Sequence, residues 1–215
     1  MVFHAVNFRH QYGITLIELQ IASLVGLMVL GTIGSVFIQG FKLTNERSKQ
    51  LLLEQSLSTV MMQIKEDIHR AGFNPAQGQT AVLSGALASI HVDPEQELIG
   101  YVYHIESEGT ESFRNVVFKR EESSSPSGGS MLKICEKHSL QPLSIEAAAL
   151  SGPGGFCFNL FNPKQISISS FSVQSQTVAS EMTSSRMVTL SLTGHLLAWV
   201  DREHQVEMTV LQRNQ

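Results

Sequence analysis

The sequence predicts an α+β protein in which a long N-terminal helix packs on an antiparallel β-sheet head. Three observations predict this fold. An uncharged apolar run fills residues 19–41, an amphipathic helical pattern continues to about residue 72, and strand-like alternation fills the remainder. A helix followed by many strands is typical of an α+β layout, in which the helix covers one face of a sheet. We therefore divide the chain into a leader (1–13), an apolar helix (14–41), an amphipathic helix (42–72) and a β-rich head (73–215).

The composition limits the classes of function. The 215 residues include 15 Lys+Arg and 19 Asp+Glu, which gives a net charge of -4. Because phosphate backbones need a basic surface, nucleic acid is not indicated as a partner. Two cysteines are too few for a disulfide-dense scaffold or a multi-cysteine zinc module.

The apolar run explains the first of the predicted helices. Leu19–Phe41 is 23 residues long and carries no charge, so it can cross a hydrocarbon core of about 30 Å as a helix. A short leader precedes it, with Arg9 as its only formal charge. No small-residue cleavage site follows the run, so we expect the segment to be retained as a single membrane anchor.

One acid stands at the head of this run. A bare Glu18 carboxylate in lipid costs a few kcal/mol, and such groups usually have a function and a partner. Gly13–Leu19 (GITLIEL) resembles the processing site of type IV prepilins and type II secretion pseudopilins, which have Gly, an apolar residue that is usually Phe, and then Thr-Leu-Ile-Glu. Ile14 replaces that Phe and remains large and apolar.

The resemblance implies how this segment is processed and used. A prepilin peptidase would cut after Gly13 and methylate the new amino group on Ile14. Glu18 would then pair with the N-terminal amine of a neighbouring subunit, so that neither charge is left alone in lipid. The small-x3-small pairs Ala22/Gly26 and Gly31/Ser35 favour close helix packing. Many pilins have a helix-breaking proline near the middle of this segment, and whether the present helix melts near Gly31–Ser35 in a filament stays open.

The amphipathic helix has one apolar stripe and ends in a second motif. The stripe recurs at spacings of three and four, which predicts one buried face: Leu53, Leu57, Val60, Met61, Ile64 and Ile68. The helix is expected to end near Ala71-Gly72, before Asn74-Pro75. Asp67–Phe73 (DIHRAGF) resembles the helix end of PilW-like minor pilins and of J-type minor pseudopilins. Alternation over Val206–Asn214 resembles their last strand more weakly.

The head is expected to be β-rich and to contain a disulfide. Period-two alternation and β-branched runs predict strands at Leu98–Ile105, Phe113–Arg120, Met131–Cys135, Phe156–Phe161, Ile166–Ser169 and Met187–Leu192. Cys135 and Cys157 lie in two of these strands, and a periplasmic head would join them by a disulfide. Two alternatives are open: two buried free thiols, or a metal site using Cys135, His138 and Cys157, which lacks a fourth ligand.

The sequence offers no enzyme motif. The eight histidines have no paired metal-binding spacing, and no nucleophile elbow or phosphate loop is found. We therefore expect no catalysis, no cofactor and no metal.

The resemblance implies a minor pilin that helps to prime type IV pilus assembly at or near the tip. Its location would be the bacterial inner membrane, with the head periplasmic, and the cell-surface pilus. Its partners would be prepilin peptidase, other minor pilins, the major pilin and the inner-membrane assembly platform. The alternatives are a J-type pseudopilin of type II secretion and a membrane-anchored periplasmic binding domain that never polymerises.

Overall fold

A computed structural model describes residue 13 and residues 15–75, 78–105, 113–124, 128–179 and 184–212. Within them, a long helix is followed by eight strands and one short helix. The elements are α1 (Leu16–Ile68), β1 (Ile90–Asp93), β2 (Leu98–His104), β3 (Phe113–Glu121), β4 (Met131–Ser139), α2 (Ile145–Ala148), β5 (Gly155–Asn159), β6 (Ile166–Ala179), β7 (Ser184–Leu196) and β8 (Trp199–Leu211). The predicted α+β layout, with a long apolar N-terminal helix before antiparallel strands, is confirmed.

The chain forms two compact units. The first is Met1–Ser48, whose described part is dominated by the upstream portion of α1. The second is Lys49–Gln215, which holds the downstream portion of α1 and all the strands.

The strands of the second unit form two antiparallel sheets where the prediction expected one. The larger sheet has the order β1-β2-β3-β4-β5, and the smaller has the order β6-β7-β8. Within each sheet, strands that follow one another along the chain are paired, so both sheets are meanders. Alternation in a sequence identifies a strand without naming its partner, which is why the division into two sheets was not predicted.

The amphipathic stripe of α1 lies in the main core. All six predicted stripe residues are buried, and they share one hydrophobic cluster with residues of both sheets, including Phe118 from the larger and Phe171 from the smaller. The prediction of one buried helix face is confirmed. A second cluster, which includes Val117 and Cys135, lies on the opposite face of the larger sheet and is completed by α2.

The bounds of several elements differ from the predicted ones. The α-helix stops at Ile68, and the chain passes through turns to Gly72. β6 and β7 run well beyond the predicted four and six residues, because their outer ends are rich in Ser, Thr and Gln and give no apolar signal. β1, with only four residues, was missed for its shortness.

Candidate assembly site

The N-terminal motif lies at the start of α1. The Thr15 carbonyl accepts hydrogen bonds from the backbone N–H groups of Glu18 (3.1 Å) and Leu19 (3.2 Å), which form the first turn. Glu18 is the acid in that turn, where the positive end of the helix dipole favours a carboxylate. Gly13 is exposed, and a Cβ added there would meet nothing within 4 Å. Ile14 and residues 1–12 lie outside the described residues, so the methylation site and the leader stay predictions.

The helix that follows is apolar on every side. From Leu16 to Leu43, each of its large apolar side chains is at least half exposed. A surface helix of a globular protein has one apolar stripe, whereas a helix that is apolar all round belongs in lipid or among other helices. Among the described residues, α1 is the one helix that is long and apolar enough to span a membrane. This single N-terminal helix fits a membrane anchor.

The polar groups of this segment satisfy themselves within the helix. The hydroxyls of Ser23, Thr32 and Ser35 donate to the carbonyls of Gln20, Val29 and Thr32 at 2.9, 2.8 and 2.8 Å. In a medium without water, hydroxyl groups need such partners. The segment is helical throughout, including the stretch from Gly31 to Ser35.

The small residues leave open space along the same segment. A Cβ added at Gly26, Gly31 or Gly34 would meet no atom within 4 Å. Small residues let the backbones of neighbouring helices approach closely in membranes.

Glu18 is the one charged residue between Thr15 and Phe41. No ion pair joins it to another of the described residues. A carboxylate at the edge of an apolar helix is costly unless a cation compensates it. The arrangement can therefore accept a cation supplied from outside the described part of this chain.

The second motif, at the end of α1, is held by two tyrosines of β2. Asp67 accepts hydrogen bonds from the hydroxyls of Tyr101 (2.6 Å) and Tyr103 (3.2 Å), and Arg70 lies 3.7 Å away. Tyr101 is fully buried. Burial and the neighbouring Asp67 carboxylate raise the pKa of Tyr101 well above its ordinary value, and the same causes raise the pKa of Tyr103. Both hydroxyls therefore remain donors at neutral pH.

An ion pair on the adjacent strands supports this contact. The guanidinium of Arg114 lies over the Tyr103 ring, 5.7 Å from its centroid, and pairs with the carboxylate of Glu136. Sequence reasoning missed all four sheet residues. Only the alternation of Tyr101 and Tyr103, which places both on one face of β2, could have indicated a shared role.

The small residues of the same motif let the segment that follows α1 pack closely against β2. Ala71 is fully buried, and Gly72 has a φ of 80°, a left-handed conformation that favours glycine. The Gly72 N–H donates to the Val102 carbonyl (2.9 Å), and the His104 N–H donates to the Phe73 carbonyl (2.7 Å). The helix-end motif is thus a structural joint between α1 and the sheet.

The predicted disulfide is present. Cys135 of β4 and Cys157 of β5 are directly opposite in the sheet and are bonded to each other. No free thiol remains, so the two alternatives, two buried free thiols and a metal site using both cysteines and His138, are wrong. Within the described ranges, no three residues of the His, Cys, Asp and Glu types are placed to hold a metal ion.

One cluster of chemistry-bearing residues was not predicted from the sequence. The Ser169 hydroxyl lies 3.1 Å from Nδ1 of His195 and also donates to the Glu203 carboxylate, which is itself 3.7 Å from the same Nδ1. In a nucleophilic triad, the serine and the acid contact opposite nitrogens of the ring. Here both meet Nδ1, so the cluster has a different geometry from a relay.

The comparison with protein families concerns a different part of the chain from the N-terminal motif. The family model described as prepilin peptidase-dependent protein B matches residues 46–212, more than three quarters of the 215 residues. No curated protein and no solved structure gives a match. The matched region begins after the apolar run, so it does not include Gly13, Ile14 or Glu18, whose roles stay predictions. The chain belongs to the prepilin peptidase-dependent protein B family.

Proposed function

We propose that the chain is a PilW-like minor pilin that takes part in priming type IV pilus assembly, at or near the pilus tip. Its role is association, and we propose no catalytic activity. Prepilin peptidase cuts after Gly13 and methylates Ile14. The processed subunit is held in the bacterial inner membrane with its head in the periplasm, and it enters the pilus together with other minor pilins, the major pilin and the assembly platform.

The observation that carries this proposal is that a helix apolar on every side has a single acid, Glu18, in its first turn. The helix exposes apolar side chains on every side, so lipid or other helices must cover them. Glu18 has no ionic partner within the described residues. Cleavage after Gly13 would create an α-amino group, cationic at neutral pH, about one helical turn before Glu18.

This arrangement favours a staggered neighbour as the source of the cation. The amine of one subunit approaches Glu18 of the next while the two helices pack through their small residues. Each charge is then neutralised, which removes the cost of leaving either one in lipid. Contacts of this kind can repeat from subunit to subunit, which suits a filament.

A J-type pseudopilin of type II secretion would share the processing and the pairing. Its distinguishing prediction is that deletion of the gene blocks export of secreted proteins and leaves pili intact. A membrane-anchored binding domain that never polymerises would retain the bond between Gly13 and Ile14.

The test compares variants of Glu18 in cells that carry the native pilus system. Glu18→Ala should be processed and inserted in the membrane, yet be depleted from sheared pili. Glu46→Ala is the matched control, because Glu46 is an exposed carboxylate on the same helix outside the apolar run. It should enter pili like the wild type.

Two results would count against the proposal. Normal amounts of the Glu18→Ala subunit in pili would exclude the proposed pairing between Glu18 and the N-terminal amine of a neighbour. A Gly13→Leu variant that gives as much mature-size protein as the wild type would show that Gly13 is not the processing site. A strain without prepilin peptidase provides the size of the unprocessed protein.

A further inference from the structure

The head has a long open sheet edge along β8. The Gln212 N–H donates to the Arg186 carbonyl (2.8 Å), which extends the register between β7 and β8 by one hydrogen-bonded pair. Because hydrogen-bonded and non-hydrogen-bonded pairs alternate along an antiparallel ladder, the even-numbered residues of β8 bond to β7. The N–H and C=O groups of the odd-numbered residues from Gln205 to Leu211 therefore point away from the sheet. Among the described residues, no other element supplies a hydrogen bond to them.

The other sheet edges are shorter or are already bonded over part of their length. β1 has only four residues. At the edge of β5, the Cys157 N–H donates to the Ser151 hydroxyl (2.9 Å). In the upstream part of β6, the Phe171 N–H donates to the Glu97 carboxylate (2.9 Å). The edge of β8 differs because the described part of the chain leaves it uncovered.

This stretch of β8 lacks the features that usually protect an edge from pairing. Proteins blunt open edges with charges, proline or bulges. From His204 to Leu211 the strand has one charged residue, Glu207, and no proline, and its register to β7 is unbroken. On the core side, Val206 and Met208 pack against the main cluster and are only partly buried. An added strand would cover them.

A groove lies beside this edge, between β8 and α1. It holds about 110 Å³, and its walls include Lys49 and Leu53 of α1 and Trp199, Arg202 and His204 of β8. When a strand is added to a sheet edge, backbone hydrogen bonds give affinity, and pockets beside the edge take alternate side chains of the added strand. The groove is placed to receive one such side chain.

The charge of the groove indicates which side chain it receives. Neither Lys49 nor Arg202 forms an ion pair with another of the described residues. The Arg202 guanidinium lies over the Trp199 ring, 5.2 Å from its centroid, which holds it at the groove. The acid at the groove, Glu203, already accepts the Ser169 hydroxyl. Two cations beside an open edge therefore favour a carboxylate on the added strand.

The open strands of this chain do not supply such a carboxylate. Subunits whose helices bundle together keep α1 on the same side of the joined sheet, so the core-side residues of the added strand reach the groove. The core-side residues at the open edges of this chain carry no acid: Val206, Met208 and Val210 of β8, Val173, Ser175 and Thr177 of β6, and Ile90 and Val92 of β1. The charge pattern therefore selects a different protein over a second copy.

We propose that the outer edge of β8, from Gln205 to Leu211, binds a β-strand of a different subunit, and that an acidic side chain of this strand enters the groove between Lys49 and Arg202. The identity of the partner as another pilin rests on the proposed function. The added strand satisfies the outward backbone groups, covers the half-open core side of β8 and pairs the two cations. One open edge takes one strand, so this contact joins the chain to a single neighbour.

The test places a photoreactive group on the open edge of the full-length protein, in the native membrane of cells that carry the pilus system. Gln205→benzoylphenylalanine changes an exposed side chain of this edge. Illumination should link it to a different pilin subunit, and peptide mapping should locate the link in an extended segment that contains Asp or Glu. Leu87→benzoylphenylalanine is the control, because Leu87 is fully exposed elsewhere on the head, and it should give no link to that segment.

A backbone variant tests whether the contact is strand addition. Adding Glu207→Pro removes one outward N–H and places a ring on the edge, while the bonds to β7 remain. It should lower the yield of the Gln205 cross-link about tenfold. Glu207→Gln, which keeps the N–H, should leave the yield unchanged. The intact disulfide between Cys135 and Cys157 reports that the variant head has folded.

A charge variant tests the acidic side chain without touching the backbone of the edge. Adding Arg202→Glu should lower the yield of the cross-link about tenfold, because like charges then meet in the groove. Lys164→Glu makes the same change of charge at an exposed site elsewhere on the head and should have no effect. Replacing the mapped acid of the partner by lysine should restore the cross-link to Arg202→Glu.

The outcomes separate this proposal from the proposed function. The strand-addition site is wrong, and the pilin role stands, if the subunit is processed and enters pili while Gln205 gives no link or links to a second copy. An equal yield in Glu207→Pro, or no response to Arg202→Glu, would overturn the site in the same way. If processing at Gly13 fails, the pilin role is wrong, whatever the cross-links show.

Discussion

Leu27 and Leu57 are the same residue type on the same helix, yet their surroundings are opposite. Leu27 is 71% exposed and Leu57 is 0% exposed. Upstream, the apolar side chains of α1 have no partner in the described part of their own chain, so what they gain from burial must come from lipid or from other subunits. Downstream, the stripe is covered by the two sheets of the same molecule. One region depends on its surroundings, and the other is self-sufficient.

The largest expected effect comes from exchanging leucine for alanine on either side of this boundary. Leu57→Ala should lower the free energy of unfolding of the head by about 2–5 kcal/mol, because it removes buried methyl groups and leaves a cavity. Leu27→Ala, the matched variant, should change it by less than about 0.5 kcal/mol. Urea unfolding of the full-length protein in detergent measures both. An equal loss of unfolding free energy in the two variants would contradict the difference between the two regions.

The disulfide is a second source of stability that lies within the head itself. Its closed loop separates the cysteines by 22 residues, and replacing both by serine should cost about 3 kcal/mol in the chain-entropy model. The same urea titration, with and without dithiothreitol, measures this cost. Reductant should destabilise the wild-type head and leave the double variant unchanged, and a head indifferent to reductant would contradict the expectation.

The joint at the end of α1 tests how the head holds its helix. Asp67→Asn replaces a carboxylate that accepts two tyrosine hydroxyls, and hydrogen bonds to charged groups contribute about 1.5–3 kcal/mol. The head should lose a similar amount of stability. Glu66→Gln is the control, because the neighbouring Glu66 is exposed. If both variants unfold at the wild-type urea concentration, the joint has no energetic role.

The smallest effect expected is a dependence on alkaline pH. The pKa of Tyr101 is raised in the folded head, first by burial and then by Asp67, so the unfolded chain loses this proton at a lower pH. The stabilisation is complete below the ordinary tyrosine pKa of about 10 and is lost as the pH rises through the folded-state pKa. Urea midpoints should hold to about pH 9.5 and then fall. The fall should be shallower in Tyr101→Phe, and an unchanged slope would contradict the assignment.

The sequence predicted the parts of the fold that depend on local periodicity. The six stripe residues of α1 follow directly from a spacing of three and four, and each is buried. Cys135 and Cys157 were paired because a periplasmic head favours a disulfide and no other cysteine exists. Gly13 and Glu18 were found through a motif of consecutive residues, and their proposed roles stay predictions.

What the sequence did not predict depends on contacts between distant segments. The division into two sheets is set by which strands pair, and the sequence of a single strand does not identify its partner. The Asp67 joint brings together residues 34 and 36 positions apart. Phe156 and Phe158 are 62% and 59% exposed, and their exposure was not predicted for the same reason. An alternating aromatic strand predicts a buried face unless the width of the covering helix is known.

We propose that the exposed apolar helix becomes an assembly segment when its leader is removed. The most direct test of this proposal is N-terminal sequencing, with intact mass, of the full-length protein extracted from native membranes. We predict a chain that begins at Ile14 and carries one methyl group on its amine, with Glu18 as its fifth residue. A chain that begins at Met1 in wild-type cells would show that the leader is retained and that the amine proposed to pair with Glu18 does not form.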